Sequence, residues 1–256
     1  MGAADLTLKM AVIVIIGVFI GSFIDAIAGG GGIITLPTYL LAGLPTHLAL
    51  GTNKLSSCIG TAFSTGRFIK SKCVDWTLAG PSVALALVGA YFGTRLQLLV
   101  DEKYLRWLLL LVLPVVAIVA LRQRQLPEER GDIPRGKQMA IVWAASLVIG
   151  AYDGFYGPGT GTFLILIFCS LAKLDVRTAC GNMKLVNLAS NVGALTTSIM
   201  NGKVFFLLGL IGTVSSVTGH YLGAGLAIKD GSKIVRPMVV AAIVLLAIKV
   251  VSEIFA

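Results

Sequence analysis

Ten apolar runs, separated by short polar stretches, dominate this chain and limit what it can fold into. They lie at roughly 8–28, 33–44, 48–69, 75–99, 104–121, 138–156, 161–172, 176–200, 204–228 and 233–255. Most reach the ~20 residues that a helix needs to cross the hydrocarbon core of a bilayer. Only 13% of the 256 residues are charged, about half of the ~25% found in soluble domains. The sequence therefore predicts an all-α fold, a polytopic helical membrane protein.

The polar stretches are too short to hold a soluble domain. The longest runs from about 122 to 137 and contains Pro127, Gly131 and Pro134 among mixed charges. We therefore expect residues 1–256 to form a single membrane domain, in which 122–137 is a cytoplasmic linker between two halves. The first apolar run resembles a signal peptide, but a matching run in the second half favours a retained helix.

The two halves, 8–121 and 138–255, are similar enough to be internal repeats. At an offset of 130 residues the following pairs coincide: Gly51 with Gly181, Lys54 with Lys184, Gly89 with Gly219, Tyr91 with Tyr221 and Gly93 with Gly223. The glycine clusters at 29–32 and 157–161 align better at an offset of 128. A small insertion or deletion therefore separates each cluster from its lysine.

Three Gly-xxx-Gly patterns, Gly17-xxx-Gly21, Gly89-xxx-Gly93 and Gly219-xxx-Gly223, are of the kind that lets membrane helices approach closely. Because the last two recur at matching repeat positions, we expect close helix packing there. Chance occurrence is the alternative.

The number of spans in each repeat decides whether the second copy is inverted. If the short runs 33–44 and 161–172 cross the membrane, each repeat has five segments, and an odd number inverts the second copy. One side then holds thirteen basic residues: Arg67, Lys70, Lys72, Arg122, Arg124, Arg130, Arg135, Lys137, Lys173, Arg177, Lys229, Lys233 and Arg236. The other holds five: Lys9, Arg95, Lys103, Arg106 and Lys203. Because Lys and Arg are in excess in cytoplasmic loops, the count predicts inverted repeats with both termini outside the cytoplasm.

The two short runs cannot be ordinary spanning helices. At ~1.5 Å per residue each reaches only about 18 Å, so we expect broken or short helices at the repeat centres. A glycine cluster precedes each of them. The candidate ligand contacts in the clusters are Gly30, Gly31 and Gly32 in the first, and Gly157, Gly159, Thr160 and Gly161 in the second.

A duplicated glycine break in a membrane protein is typical of a binding site. Glycine lets a ligand approach the backbone, and a helix that restarts after a break presents free N–H groups and a partial positive charge. Unwound backbone at membrane depth is tolerated only where it is buried or lines a cavity. Paired breaks in two repeats favour a transporter site near the bilayer midplane. A tight hairpin without a ligand is the alternative.

A lysine among polar residues follows each short run. Lys54 and Lys184 occupy the same repeat position. The polar residues around them are Thr52, Asn53, Ser56 and Ser57 in the first repeat and Asn182, Asn187, Ser190 and Asn191 in the second. The candidate ligand contacts among them are Thr52, Asn53, Asn182, Asn187 and Asn191. Because a buried cation beside a helix break suits a negatively charged ligand, we interpret these residues as an anion-binding site. Lysines that extend to the lipid headgroups are the alternative.

Two acidic residues, Asp25 and Asp153, lie four residues before the glycine clusters. Carboxylates inside a membrane are costly and often serve ion or proton coupling. We therefore assign proton coupling to both as a hypothesis. Capping the following turn, or pairing with the lysines, remains open.

The remaining reactive residues indicate no chemistry. The four cysteines, Cys58, Cys73, Cys169 and Cys180, form no CxxC pair, so neither a disulfide framework nor a zinc site is expected. His47 and His220 do not share a repeat position, and we interpret both as satisfied polar residues, with a proton relay at His220 as the alternative. We predict no catalytic residue, metal or cofactor, and therefore no enzyme. The basic residues are spread over short loops, which argues against nucleic acid as a partner.

At the glycine clusters and lysines the chain resembles the sulfite exporter TauE/SafE family. The residues that carry this resemblance are 29–32 with Pro37, 49–54, the weaker Val74-Asp75-Trp76, 157–161 and 179–184. The second half departs from the family pattern, since Met183 replaces an asparagine and Pro158 interrupts the glycines. The resemblance covers almost the whole chain. It implies a secondary transporter that exports sulfite or an organosulfonate across the cytoplasmic membrane of a prokaryote.

Residues and resemblance together predict an anion exporter that works by alternating access with proton coupling. The expected partners are a small anionic substrate and membrane lipids, and a homodimer is left open. An anion channel is an alternative because broken helices fit either mechanism. A cation transporter would require Asp25 and Asp153 to outweigh the two lysines. A membrane enzyme or a structural subunit fits the duplicated polar breaks less well.

Overall fold

The computed structural model describes residues 7–101, 103–105, 129–230 and 233–234. Within these residues the structure is helical and has no strand, as the sequence predicts. The helices are α1 (Leu8–Ala28), α2 (Gly32–Leu41), α3 (Thr46–Lys70), α4 (Trp76–Leu99), α5 (Arg135–Phe155), α6 (Thr160–Ser170), α7 (Val176–Met200) and α8 (Phe206–Asp230). Nearly all of the predicted segments 104–121 and 233–255, and the linker part 122–128, lie outside the described residues. The described linker is shorter than predicted because α5 begins at Arg135.

Four helices, α1, α4, α5 and α8, are long and apolar enough to cross a membrane. They contain 21 to 25 residues each, which corresponds to about 32–38 Å. Large apolar side chains such as Ile16, Phe92, Val148 and Val214 are exposed on them. Such a surface is stable in lipid rather than in water. The chain is therefore a multi-pass helical membrane protein.

Helices α3 and α7 are just as long, at 25 residues each, but they are more polar and lie inside. α3 packs against α7 and α8, and α7 packs against α3 and α4. Their buried polar side chains include Thr52, Asn53, Lys54 and Ser56 on α3, and Asn182, Lys184, Asn187 and Asn191 on α7. The surrounding helices keep these groups away from lipid, where unpaired polar groups would be costly.

The first group of parallel helices consists of α1, α3 and α8. Gly212 of α8 lies against Val14 of α1, and further along Gly223 lies against Ala26, so these helices run in the same direction. α3 follows α8 in the same direction along its other side. The group thus combines two helices of the first half with one of the second.

The second group consists of the parallel helices α4, α5 and α7, two of them from the second half and one, α4, from the first. Gly150 of α5 lies against Ala86 of α4, and Gly154 lies against Ala90. The two groups meet where α3 and α7 cross in opposite directions. Each group therefore contains one helix from the other half: α8, the fourth described helix of the second half, in the first group, and α4, the fourth helix of the first half, in the second.

Small residues let these helices touch. A Cβ added to Gly219 would lie 2.6 Å from the backbone oxygen of Phe19, and one added to Gly89 would overlap the backbone oxygen of Leu147. No side chain larger than hydrogen fits at either contact. The close packing expected from the repeated Gly-xxx-Gly patterns is therefore confirmed.

The short helices α2 and α6 start at the glycine breaks. They have 10 and 11 residues, so they reach only about 15–17 Å, and they occupy the predicted short runs. α2 packs against α1 and α3, and α6 packs against α5 and α7. Each short helix therefore begins in the interior, between the two helix groups.

Candidate functional site

The two helix breaks meet in the interior. Gly29 ends α1 with a φ of 71°, a left-handed conformation that glycine adopts without steric cost. Its carbonyl oxygen accepts a hydrogen bond of 3.2 Å from the N–H of Thr162 in α6. Gly161 packs so closely that a Cβ on either glycine would overlap the backbone of the other. The end of α1 is thus joined directly to the start of α6.

A small polar cavity lies beside the joined breaks. About 30 Å³ of it is open to the centre of a water molecule, which is room for about two waters. It is lined by Ser22, Asp25, Gly29, Gly31, Gly32, Thr35, Asn53, Lys54, Ser57, Asp153, Gly157, Thr160, Asn187 and Asn191. Both halves of the chain contribute to this lining.

Lys54 forms a buried ion pair with Asp153 of the other half. Its Nζ is 2.7 Å from Asp153 Oδ2 and donates to Asn191 Oδ1 at 3.0 Å. The hydroxyl of Ser190 donates to the same Asp153 oxygen, and the hydroxyl of Thr160 donates to Oδ1. The side chains of Lys54 and Asp153 are 8% and 3% exposed. This pair and its hydrogen bonds form one wall of the cavity.

Lys184 forms the corresponding pair with Asp25. Its Nζ is 2.7 Å from Asp25 Oδ2 and also donates to the backbone oxygen of Asp25. Asp25 Oδ1 accepts a hydrogen bond of 3.1 Å from the N–H of Gly31 and so caps the start of α2. Lys184 is 0% exposed, whereas Asp25 is 13% exposed and lines the cavity. In this conformation Asp25 lies between Lys184 and the cavity.

His220 lies behind the second pair. Its Nε2 is 3.8 Å from Asp25 Oδ2, and its side chain is 1% exposed. Within the part of the chain that the structure describes, its Nδ1 has no hydrogen-bond partner. The interpretation of His220 as a satisfied polar residue is therefore wrong at this nitrogen. The equivalent position in the first half, at the offset of 130, is Ala90.

The structure brings most of the predicted site residues to the cavity. Those that line it are Gly31, Gly32, Asn53, Lys54, Gly157, Thr160, Asn187 and Asn191, together with both predicted coupling residues, Asp25 and Asp153. The predicted residues that do not line it are Gly30, Thr52, Gly159, Gly161, Asn182 and Lys184. The two lysines, which are equivalent in the sequence, therefore have different access to the cavity.

Some of the residues away from the cavity have structural partners instead. Thr52 Oγ1 accepts from the N–H of Phe205 at 2.9 Å, just before α8, and Asn182 Nδ2 donates to the backbone oxygen of Thr178. Gly161 is needed for the contact with Gly29. The sequence shows that these positions are polar or small. It does not show which neighbour they bond to or pack against.

Four cavity residues, Ser22, Gly29, Thr35 and Ser57, were not among the ligand contacts predicted from the sequence. Ser22 precedes Asp25 by three positions, and Ser57 follows Lys54 by three, a spacing that places each on the same helix face as the charged residue. That spacing is the signal by which they could have been found. Thr35, in the first turn of α2, has no comparable signal.

The charges of the site cancel. Two ionised lysines and two ionised aspartates leave no net charge, and each lysine is already paired. Among the described residues, no group of three His, Cys, Asp or Glu could hold a metal ion. An anion that binds Lys54 must therefore share the charge of that lysine with Asp153 or displace the Asp153 carboxylate.

Comparison with known proteins identifies the family. The family model described as "Sulfite exporter TauE/SafE" matches residues 13–250. The probable membrane transporter protein ORF9 of Sinorhizobium sp is 33% identical over 97% of this chain and 95% of its own length. The probable membrane transporter protein YfcA of Escherichia coli K12 is 35% identical over 86% of this chain and 82% of its own. No solved structure matches. The match over nearly the whole length, in a chain with duplicated glycine breaks and lysines, shows that this membrane protein belongs to the sulfite exporter TauE/SafE family.

Proposed function

We propose that this protein is a secondary transporter that exports a small sulfur oxyanion, sulfite or an organosulfonate, across the cytoplasmic membrane of a prokaryote. The observation that carries the proposal is the position of Lys54, whose ammonium group borders a cavity at two joined helix breaks. The family description supports the substrate class. The names of the relatives support transport.

The chemistry of the cavity favours an anion over a cation. Lys54 supplies a positive charge, and the side-chain amides of Asn53, Asn187 and Asn191 supply N–H donors that fit oxyanion oxygens. Both carboxylates already accept a hydrogen bond from a lysine. A cation would have to displace a lysine from a buried site, which favours the anion exporter over a cation transporter that uses Asp25 and Asp153.

Charge balance supports proton coupling. When an anion takes Lys54, Asp153 loses its partner, and an unpaired buried carboxylate is strongly destabilising. Uptake of one proton by the site would compensate the negative charge that is left without a partner. A divalent anion that leaves with one proton carries one net negative charge outward. The membrane potential would favour this export by about 2.3 kcal/mol per 100 mV.

The size of the cavity supports alternating access rather than an open pore. A space of about 30 Å³ holds waters but not a sulfonate, so the site must widen to bind its substrate. We propose that the group α1, α3 and α8 rocks against the group α4, α5 and α7, as in other transporters with repeats. The opposite direction of the two groups supports inverted repeats, for which the charge count puts both termini outside.

Transport by the purified protein in proteoliposomes tests this function. Vesicles loaded with sulfite or sulfoacetate should release the anion at a rate that saturates with concentration and responds to a pH gradient. The Lys54→Gln variant should lose this flux. The matched control, Lys203→Gln, removes an exposed lysine away from the cavity and should leave the flux unchanged. Flux that does not saturate and ignores the pH gradient would instead indicate an anion channel.

A further inference from the structure

We infer that His220 is the proton-accepting site of the transport cycle, so that the two ion pairs have different tasks. In this scheme the Lys54–Asp153 pair receives the anion, and His220 takes up the proton beside the Lys184–Asp25 pair. The inference rests on the proposed anion transport. It goes further by assigning the proton to one residue outside the two aspartates predicted from the sequence.

The geometry around His220 is that of a base with space for one more proton. At 3.8 Å, its Nε2 is too far from Asp25 Oδ2 for a hydrogen bond, but a small rotation of the ring would close the gap. Its Nδ1 is buried and unpartnered in the described part of the structure. A protonated imidazole donates at both nitrogens, so the added proton would give Asp25 a second cationic partner.

Few charged groups face this imidazole. Asp25 approaches from α1, and Lys184 approaches from α7. From α3, the other helix packed here, Gly60 faces the ring, and a Cβ at Gly60 would lie 2.5 Å from the ring carbon Cδ2. Asp25, which contacts the cavity, is therefore the neighbour through which a proton from the cavity would reach His220.

Protonation of His220 would change the cluster in two ways. It would add one positive charge to a site whose lysines and aspartates otherwise cancel, and it would compete with Lys184 for Asp25 Oδ2. Released from that oxygen, Lys184 could turn its charge toward the cavity that Asp25 now covers. Proton uptake and anion binding would then favour each other, as thermodynamic linkage requires. Asp25 passes the proton on and is ionised before and after this step, and the only atom transferred is the proton.

The two halves support this division of tasks. Ala90 stands where the first half would need a histidine, and Asp153 receives hydroxyl groups from Ser190 and Thr160 instead. Hydroxyls hold a carboxylate in place but do not accept a proton near neutral pH. The structure thus provides one histidine, next to one of two otherwise similar pairs.

Two transport modes of the His220→Gln variant test the inference. Exchange of internal for external sulfite at equal pH needs no net proton movement, and we expect the variant to retain it within about twofold. The second mode is net sulfite efflux coupled to proton movement, which a pH-sensitive dye reports. We expect the rate of this mode to fall by about tenfold or more in the variant. Its remaining flux should no longer depend on pH between about 5 and 8, where histidine titrates. The control Thr218→Ala, on the exposed side of α8 two residues from His220, should keep both modes.

The opposite results are equally clear. A His220→Gln variant that still moves protons with sulfite overturns the inference. So does a folded variant that loses exchange as well, because His220 would then belong to the anion site. Folding is checked by gel filtration and thermal unfolding, with His220→Asn as a second variant.

Nuclear magnetic resonance of labelled histidine separates this inference from the proposed function. The chain has only two histidines, so the His47→Gln variant reports His220 alone. Adding sulfite at fixed pH should increase the protonated fraction of His220, and no change would overturn the inference. If the wild type transports no sulfite or sulfoacetate but His220 gains its proton with the anion, the transport proposal fails and the proton site stands.

Discussion

The two buried ion pairs are alike in the sequence and unlike in the structure. Each joins a lysine of one half to an aspartate of the other at 2.7 Å. Lys54 borders the cavity, whereas Lys184 is fully enclosed behind Asp25. The difference shows that a repeat can preserve a charge pair and still place its two copies in different surroundings.

The surroundings of the pairs account for this difference. Asp153 is held by the hydroxyls of Ser190 and Thr160, so its carboxylate stays beside the cavity with Lys54. Asp25 instead caps Gly31 at the start of α2 and faces His220. One pair therefore has both of its residues at the cavity, and the other is tied to a helix end and lies beside a histidine.

The largest expected effect is the loss of Lys184. Lys184→Ala leaves the largely buried carboxylate of Asp25 without its lysine, and we expect it to destabilise the protein by about 3–5 kcal/mol. Thermal unfolding in detergent measures the effect. The double variant Lys184→Ala with Asp25→Ala should recover part of the lost stability because no charge is left unpaired. Equal stability of the single variant and the wild type would contradict the buried pair.

The next effect separates transport from stability at the other pair. Lys54→Gln together with Asp153→Asn replaces both charges by amides of similar shape, so the fold should remain. Without the cation, the rate of sulfite efflux should fall by about a hundredfold. This corresponds to ~2.7 kcal/mol of lost stabilisation of the transition state for transport. Flux in proteoliposomes and unfolding in detergent are measured on the same preparation. A stable double variant with normal flux would remove Lys54 from the anion site.

The contact between the two breaks should tolerate no side chain. Gly161→Ala places a methyl group on the backbone of Gly29, and such overpacking typically costs about 1–3 kcal/mol. The control is Gly80→Ala in α4, where a Cβ meets nothing within 4 Å. If both variants unfold at the wild-type temperature, the two breaks are not in contact in the protein.

The smallest effect concerns a contact that only the first half has. Asp75, just before α4, accepts hydrogen bonds from Arg130 and Arg135, while the equivalent position is Phe205. Burial raises the pKa of Asp75, but the two guanidinium groups outweigh it and hold the pKa below its ordinary value. Asp75→Asn should cost only about 0–1 kcal/mol, since the arginines are well exposed.

The lowered pKa of Asp75 determines how the stability contributed by its ion pairs depends on pH. Because the folded pKa of Asp75 is depressed, its contribution to stability is complete above the ordinary value of about 3.9. That contribution is lost as the pH falls through the lowered pKa. Unfolding of the wild type and Asp75→Asn should therefore differ at neutral pH and converge in acid. A difference that grows in acid would contradict the ion pairs.

Much of the architecture was predictable because hydrophobic runs and glycine breaks act locally. Length and composition predicted helical spans, and the clusters at 29–32 and 157–161 predicted where α2 and α6 begin. The close packing at Gly89 and Gly219 followed from spacing alone. The start of α5 at Arg135 was missed because the polar linker gives no clear helix boundary.

The site was predictable only in part, because its pairs join residues far apart in the chain. The sequence shows Lys54, Lys184, Asp25 and Asp153 as intramembrane charges, but it left open whether the aspartates pair with the lysines. The roles of Thr52 and Asn182 were also open, since a polar residue on a buried helix can serve a ligand or a neighbouring backbone group. His220 was underestimated because its position gains meaning only from Asp25, on another helix.

The sequence by itself determined that this chain spans a membrane, that it contains a duplicated break and lysine, and that it resembles the family to which it belongs. These properties reside in local composition and repeated spacing. Only the tertiary structure decided which aspartate meets which lysine and that Lys54 alone of the two borders the cavity. The physical reason is that helices from opposite halves pack together, so the charges that must neutralise each other inside the membrane come from distant parts of the chain: Lys54 pairs with Asp153, and Asp25 pairs with Lys184.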